Sequence, residues 1–282
     1  MGAATAGAVV DVGTAIFVLS TMLAMGLSLS VDQLLTAIDE PRLVSKSLVV
    51  NLAVVPIVAY VLVRAISVAP GYAVGILLIA VSPGAPFGPK FAELSNSNLA
   101  FANGLMAVLG VVSVVTIPAT LALLLPGAVA VDPLSIGRLV FGIQLVPLVV
   151  GLGLESRYSS VADRLYPPVQ RLSDASFVFL LVLLLLVYAG DMLTLLGTGT
   201  LFVSSVVVAA SLLLGYVLGG PARDGREVLA TTTAARNAAI ALFIAMTSFS
   251  DPDVLTTVIA FSFVGVVGSA LIAIIWGRRT SE

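Results

Sequence analysis

Lys90 and Arg236 each stand inside an apolar run, and their chemistry is the hardest in this chain to explain as packing. A charge at bilayer depth is costly unless it is paired or faces water, so such a residue marks a functional site by default. Around Lys90 the chain reads SPGAPFGPKFAEL, Ser82 to Leu94. There Pro83, Pro86 and Pro89 remove helical donors, and Gly84 and Gly88 weaken the helix that remains. Around Arg236 it reads ATTTAARNAA, which sets Thr232, Thr233, Arg236 and Asn237 in the middle of an apolar helix. Arginine stays protonated, whereas a desolvated lysine can release its proton. Two such cations beside the positive ends of half-helices make a centre for an anion, with Lys90 the candidate for proton coupling. Plainer roles exist for both: Lys90 can pair with Glu93 one turn on, and Arg236 can bond carbonyls freed at a break. Asn237 also suits a helix cap.

The elements that must hold these residues are membrane spans. Of 282 residues, 59% are hydrophobic and 10% charged, against roughly a quarter charged in a soluble domain. The mean hydropathy of +1.16 says the same: lipid is the solvent. A net charge of −2 argues against nucleic acid as a partner. With no cysteine and no histidine, disulfides, thiolate or imidazole metal sites and His-based catalysis are excluded. Acids such as Asp174 and Asp191 lie near span ends and no serine has an evident base, which disfavours an intramembrane enzyme. The first basic residue is Arg42, so the charged start of a signal peptide is missing and the first apolar run is expected to be retained.

A span needs about 20 apolar residues. That length predicts nine, at 9–30, 43–66, 72–97, 99–125, 133–154, 170–191, 199–219, 226–250 and 254–277. Alternating them puts Arg42, Lys46, Arg157, Arg164, Arg171, Arg223, Arg226, Arg278 and Arg279 on one face, and only Arg64 and Arg138 on the other. This bias places the C-terminus in the cytoplasm and the N-terminus outside. The two interrupted spans, third and eighth, are five apart and therefore run in opposite directions. Their predecessors, VNLAVVPIVAYVL and VVVAASLLLGYVL, correspond. The pattern is that of a single transporter domain over 1–282, with inverted repeats at about 9–125 and 133–277 and paired broken helices at the substrate site.

Several segments together resemble the bile acid:sodium symporter family over nearly the whole chain. They are MLAMGLSLSVDQL, EPRLVSKSLVVNLAVVPIVAY, AVGILLIAVSPGAPFGP and REVLATTTAARNAAIALFIA. The resemblance implies an all-α polytopic fold with a rocking panel part and a core part containing two discontinuous helices that cross. It implies organic anions carried with sodium, and nine spans where many bacterial members have ten. The family's sodium positions match Asn51, Gly88, Pro89, Ala102, Met106, Thr232, Thr233, Ala235 and Arg236. The family's carboxylate falls on Thr232 and its glutamine on Arg236, so among the side-chain donors only Asn51 and Thr232 still offer oxygen. Both sodium sites look dismantled.

These residues predict a plasma-membrane secondary transporter of a small organic anion. It is sodium-independent, by uniport, exchange or proton coupling, with Lys90 and Arg236 in the places of sodium ions. Lys90, Arg236, Asn237, Thr232, Thr233 and Asn51 are the expected substrate-binding residues. No cofactor is expected, and the partners are the anion and the bilayer. The competing readings are sodium coupling through a rearranged site, a passive channel and a non-transporting sensor. An arsenite-type exporter of the same superfamily would want a cysteine where Ser82 stands nearby. Asn103 and Gln144 are further polar residues within spans, with no role implied by the family.

Overall fold

In lipid the backbone has no water to bond, so an apolar chain must satisfy its own N–H and C=O groups. The computed structural model, which describes residues 3–30, 41–84, 86–125, 132–187, 190 and 194–279, does so with helices alone among those residues. In chain order they are α1 (Ala3–Ser28), α2 (Pro41–Ala65), α3 (Pro70–Ala80), α4 (Gly88–Ser95), α5 (Leu99–Leu124) and α6 (Pro133–Arg157). There follow α7 (Ser159–Val187), α8 (Thr200–Leu218), α9 (Arg223–Ala235), α10 (Ala238–Ser248) and α11 (Pro252–Arg279).

Prolines set many of the boundaries. Pro41, Pro70, Pro133 and Pro252 open α2, α3, α6 and α11, where the missing N–H is no loss. Pro56 and Pro147 act differently. Each lies inside a long helix and is preceded by a five-residue π-turn, Val50–Val54 in α2 and Phe141–Leu145 in α6. The wider turn relieves the clash of the proline ring with the preceding carbonyls, and such turns often mark functional positions. Each carries one buried amide side chain, Asn51 and Gln144.

Among the described residues, six helical stretches are long and apolar enough to span a bilayer: Pro41–Ala65, Leu99–Leu124, Pro133–Arg157, Thr200–Leu218, Arg223–Ser248 and Pro252–Arg279. Val12–Ser28 and Pro70–Ala80 are shorter apolar helices. The molecule is thus an all-helical, multi-pass membrane protein. Its outer surface is greasy: Leu123 is 82% exposed, and Val115, Phe202, Leu213 and Leu186 are also exposed. Polar side chains such as Asn51, Gln144, Thr232 and Asn237 are buried. α7 begins earlier than the 170–191 expected from apolar length, because the polar stretch from Ser159 continues the same helix. Asp191 lies outside the described residues.

α1 packs with α6 and α7, and the remaining helices pack largely with one another, α11 touching α3, α4, α8, α9 and α10. The Arg223–Ser248 stretch is central and almost wholly buried, whereas the other five leave most of their length at least partly exposed at the surface. α8 seats on α9 through Gly215 and Gly219, where a Cβ would fall within 2.6 Å of Leu229 O and 2.4 Å of Arg226 Cα.

Candidate functional site

Two breaks meet at the centre of the protein. α3 ends at Ala80 and α4 begins at Gly88, while only Arg236 and Asn237 separate α9 from α10. The Asn237 backbone N–H donates to Ser82 O at 2.8 Å, tying one break to the other. Gly84 takes φ +85°, which glycine adopts freely. Arg236 takes φ 52° and ψ 175°, a backbone state costing a side-chain-bearing residue about 1–3 kcal/mol that neighbouring structure must hold.

The guanidinium supplies that hold. Arg236 is 1% exposed. Its terminal nitrogens donate to Asn51 Oδ1 at 2.8 Å, to Asn51 O at 3.0 Å and to Ala80 O, and Nε donates to Ile79 O at 3.4 Å. Local geometry explains why these oxygens are available. In the π-turn of α2 the Val55 N–H bonds Val50 O. The next residue, Pro56, has no N–H to offer Asn51 O. Ala80 O is left over at the C-terminus of α3, the negative end of its dipole. A cation therefore sits on one amide oxygen and three carbonyls, the ligand chemistry of a hard metal ion.

Of the other sodium positions implied by the resemblance, Gly88, Pro89, Ala102, Met106 and Ala235 bring no side-chain oxygen, and the two threonine hydroxyls are engaged elsewhere. A Cβ on Gly88 would lie 2.7 Å from Thr232 Cγ2 and 3.0 Å from Met106 Sδ. Ala102, Met106, Thr232 and Ala235 are fully buried. The Thr232 hydroxyl donates to Val228 O at 2.7 Å, back along its own helix. The Thr233 hydroxyl accepts from Asn51 Nδ2 at 3.1 Å, so Asn51, Thr233 and Arg236 form one connected set. Pro89 occupies the first turn of α4. Among the described residues no group of three or more Asp or Glu could hold a metal.

Asn237 is the donor left underused. Its Oδ1 caps α10, accepting from Ile240 N at 3.2 Å. Its Nδ2, 1% exposed as a residue, meets a single acceptor among the described residues, Gln144 Oε1, at 3.5 Å, the outer limit of a hydrogen bond. The buried Ala238 and Ala239 begin the same helix, whose first N–H groups have no intrahelical partner. A cavity of about 90 Å³ abuts Ala238 and is lined by Phe17, Phe177, Leu180, Leu242 and Ile259. The arrangement can cradle an oxyanion beside an apolar body.

Lys90 is not part of this centre, which corrects the expectation of two cations meeting there. Its ammonium donates to Glu93 at 2.7 Å, with the lysine side chain 67% exposed. The cause is helical phase: α4 buries Gly88, Phe91, Ala92 and Ser95, which turns Lys90 and Glu93 to the opposite face. Glu227, in contrast, was not singled out by the sequence. Its 2%-exposed carboxylate accepts from Arg223 Nε at 2.5 Å and Ser97 Oγ at 2.7 Å. Its signal was an acid inside the eighth span with an arginine one turn before it. Asn103 is buried on α5.

The family model for the sodium bile acid symporter family matches residues 15–198. The chain is 21% identical over 270 residues to a probable sodium/metabolite cotransporter, BASS1, chloroplastic, of Arabidopsis thaliana, covering 93% of this chain and 66% of that protein. Over 274 residues it is 21% identical to YocS of Bacillus subtilis, described as an uncharacterized sodium-dependent transporter, covering 95% of this chain and 84% of that one. The chain thus spans just under two thirds of the length of the plant relative.

Proposed function

Since this chain belongs to the sodium bile acid symporter family, we propose that it is a secondary transporter that carries a small organic anion by alternating access without sodium. One observation carries the reading. The Arg236 guanidinium, at a position the resemblance assigns to a sodium ligand, is hydrogen-bonded to the buried oxygens of Asn51, Ile79 and Ala80. A tethered cation in that place fixes the crossing permanently, where a mobile ion would do so only when bound. The Met106 thioether and the Thr232 methyl close the space around Gly88 in the same sense.

The substrate carboxylate binds at the start of α10. Asn237 Nδ2 and the N–H groups of Ala238 and Ala239 face it, and the fixed charge of Arg236 on the preceding residue favours an anion. The apolar cavity beside Ala238 takes its body. On this reading nine spans form two inverted repeats, at about 9–125 and 133–277. α1, α6 and α7 are the panel and the remaining helices the core. The N-terminus faces out and the C-terminus the cytoplasm, in the plasma membrane. Asn51 and Thr233 act by holding Arg236. Lys90, near the cytoplasmic end, is a surface charge.

Sodium coupling is the competing reading, and the names of the relatives favour it. Uptake of labelled small carboxylates into proteoliposomes, with sodium replaced by choline, separates the two. We expect saturable uptake that is the same in both salts. Uptake that needs sodium refutes the sodium-free reading, and uptake that never saturates refutes the carrier.

A further inference from the structure

Gln144 faces the anion seat from the other side. It lies in the π-turn of α6, and its side chain is fully buried. Both hydrogens of its amide are committed: Nε2 donates to Gly110 O at 2.7 Å and to Ser113 Oγ at 2.6 Å. The Ser113 hydroxyl in turn donates to Gly110 O at 2.7 Å, which fixes it as an acceptor toward Gln144. Flipping the amide would set its oxygen against Gly110 O, so the orientation shown is the one its partners favour. Its Oε1 is held as an acceptor pointing at Asn237. Asn237 is pinned in its turn, because its Oδ1 caps Ile240 and its Nδ2 must face Gln144.

A seat results with a fixed donor on one side and a fixed acceptor on the other, joined by one long 3.5 Å contact. We propose that Gln144 is a specificity-determining residue. It selects carboxylates that carry a hydrogen-bond donor on the neighbouring carbon, 2-hydroxy acids, over the corresponding 2-oxo acids. The carboxylate oxygen takes the Asn237 donor, and the hydroxyl donates to Gln144 Oε1. An oxo group there sets one acceptor against another. A buried acceptor left facing a second acceptor by the wrong ligand loses one hydrogen bond and disfavours that ligand. The cavity beside Ala238, at about 90 Å³, is small and lined largely by Phe, Leu, Ile and Val side chains, which suits a short branched alkyl group.

This inference rests on Asn237 being the anion seat, and the two fail separately. Purified full-length protein is titrated with 2-hydroxyisovalerate and with 2-oxoisovalerate, and binding is read by thermal shift and by competition for uptake in proteoliposomes. The wild type is expected to bind the hydroxy acid about tenfold more tightly, the worth of one hydrogen bond. In Gln144→Met, which keeps length but offers no oxygen, the ratio falls to near one. Ser113→Ala, which releases the amide without removing it, lowers the ratio by a smaller factor. If neither acid binds the wild type, the anion seat itself is wrong. If both bind with equal affinity, or the ratio survives in both variants, the role of Gln144 is wrong while the seat stands. The wild-type comparison needs no variant, so a misfolded Gln144→Met cannot leave the matter open.

Discussion

Arg236 donates to both oxygens of Asn51, the side-chain oxygen at 2.8 Å and the backbone oxygen at 3.0 Å, across 185 residues of chain. The backbone oxygen is free because a π-turn runs into Pro56. A local device in α2 thus prepares the docking point for a residue in the distant break. The same guanidinium closes the C-terminus of α3 at Ala80. One side chain joins α2, α3 and the crossing, and several tests follow from that.

Removing the guanidinium should be expensive. Arg236→Ala strands Asn51 O and Ala80 O in a buried site, at about 1–3 kcal/mol for each unsatisfied group. The melting temperature in detergent is expected to drop sharply. Arg236→Lys should fall between, because an ammonium keeps the charge and three donors but lacks the planar fork. A wild-type melting curve for Arg236→Ala would show that the bonds to Asn51 and Ala80 contribute nothing net.

Sodium should be indifferent to the wild type and matter to a revertant. The family resemblance puts a carboxylate at Thr232 and a glutamine at Arg236. The double variant Thr232→Glu with Arg236→Gln restores both and releases the oxygens of Asn51, Ile79 and Ala80. We expect sodium, compared with choline, to raise the melting temperature of the double variant and not that of the wild type. Equal sodium stabilisation of both proteins would mean that a sodium site survives beside the arginine.

Much of this centre was legible in the sequence, for identifiable reasons. Prolines and glycines between Ser82 and Pro89 break a helix wherever they stand, and an arginine next to an asparagine in an apolar run has few innocent explanations. Depth could be counted in residues, so Lys90 and Arg236 were both placed within spans. Azimuth could not. The phase of α4 is set by where Gly88 starts it and by Phe91 and Ala92 packing inward, and that phase turns Lys90 away. Gln144 was visible only as a polar residue. The proline three residues later hinted at the π-turn, but its partners on α5 and at Asn237 belong to tertiary packing.

Gly88 should tolerate no methyl group unless a neighbour is trimmed. A Cβ there would meet Thr232 Cγ2 at 2.7 Å and Met106 Sδ at 3.0 Å, and overpacking of this kind costs about 1–3 kcal/mol. Gly88→Ala is expected to destabilise, and adding Thr232→Ser should recover part of the loss, since it removes the methyl and keeps the hydroxyl. Simple additivity of the two changes, measured by thermal or denaturant unfolding, would place the contact elsewhere.

Acid should loosen the start of α6. Asp132 caps it, accepting from the Leu134 N–H at 3.1 Å, the Ser135 N–H at 3.2 Å and the Ser135 hydroxyl. The Ser135 hydroxyl and these N–H groups hold its carboxyl below the usual carboxylate range. A depressed value means the cap's contribution is full above the ordinary carboxylate pKa and is lost as pH falls through the lower, folded value. Amide exchange at Leu134 and Ser135 is the readout. Asp132→Asn should make their protection insensitive to acid, whereas in the wild type it declines as pH falls through the depressed folded value.

The buried carboxylate of Glu227 gives a directional test, because its two partners are differently placed. Arg223 is 40% exposed and also donates to Trp276 O at 2.8 Å, so it can turn to water if Glu227 is lost. Glu227 is 2% exposed and has no such escape. Removing Arg223 therefore leaves a buried carboxylate with Ser97 as its remaining side-chain donor, the situation in which breaking a pair is most damaging. Glu227→Gln removes the charge and can still bond Ser97. Arg223→Ala should thus destabilise more than Glu227→Gln, and the double variant should be more stable than Arg223→Ala alone. The unfolding cycle of these three variants decides it: the reverse order would mean that Glu227 is hydrated and that the loop at Ser97 is not stapled to α9 through it.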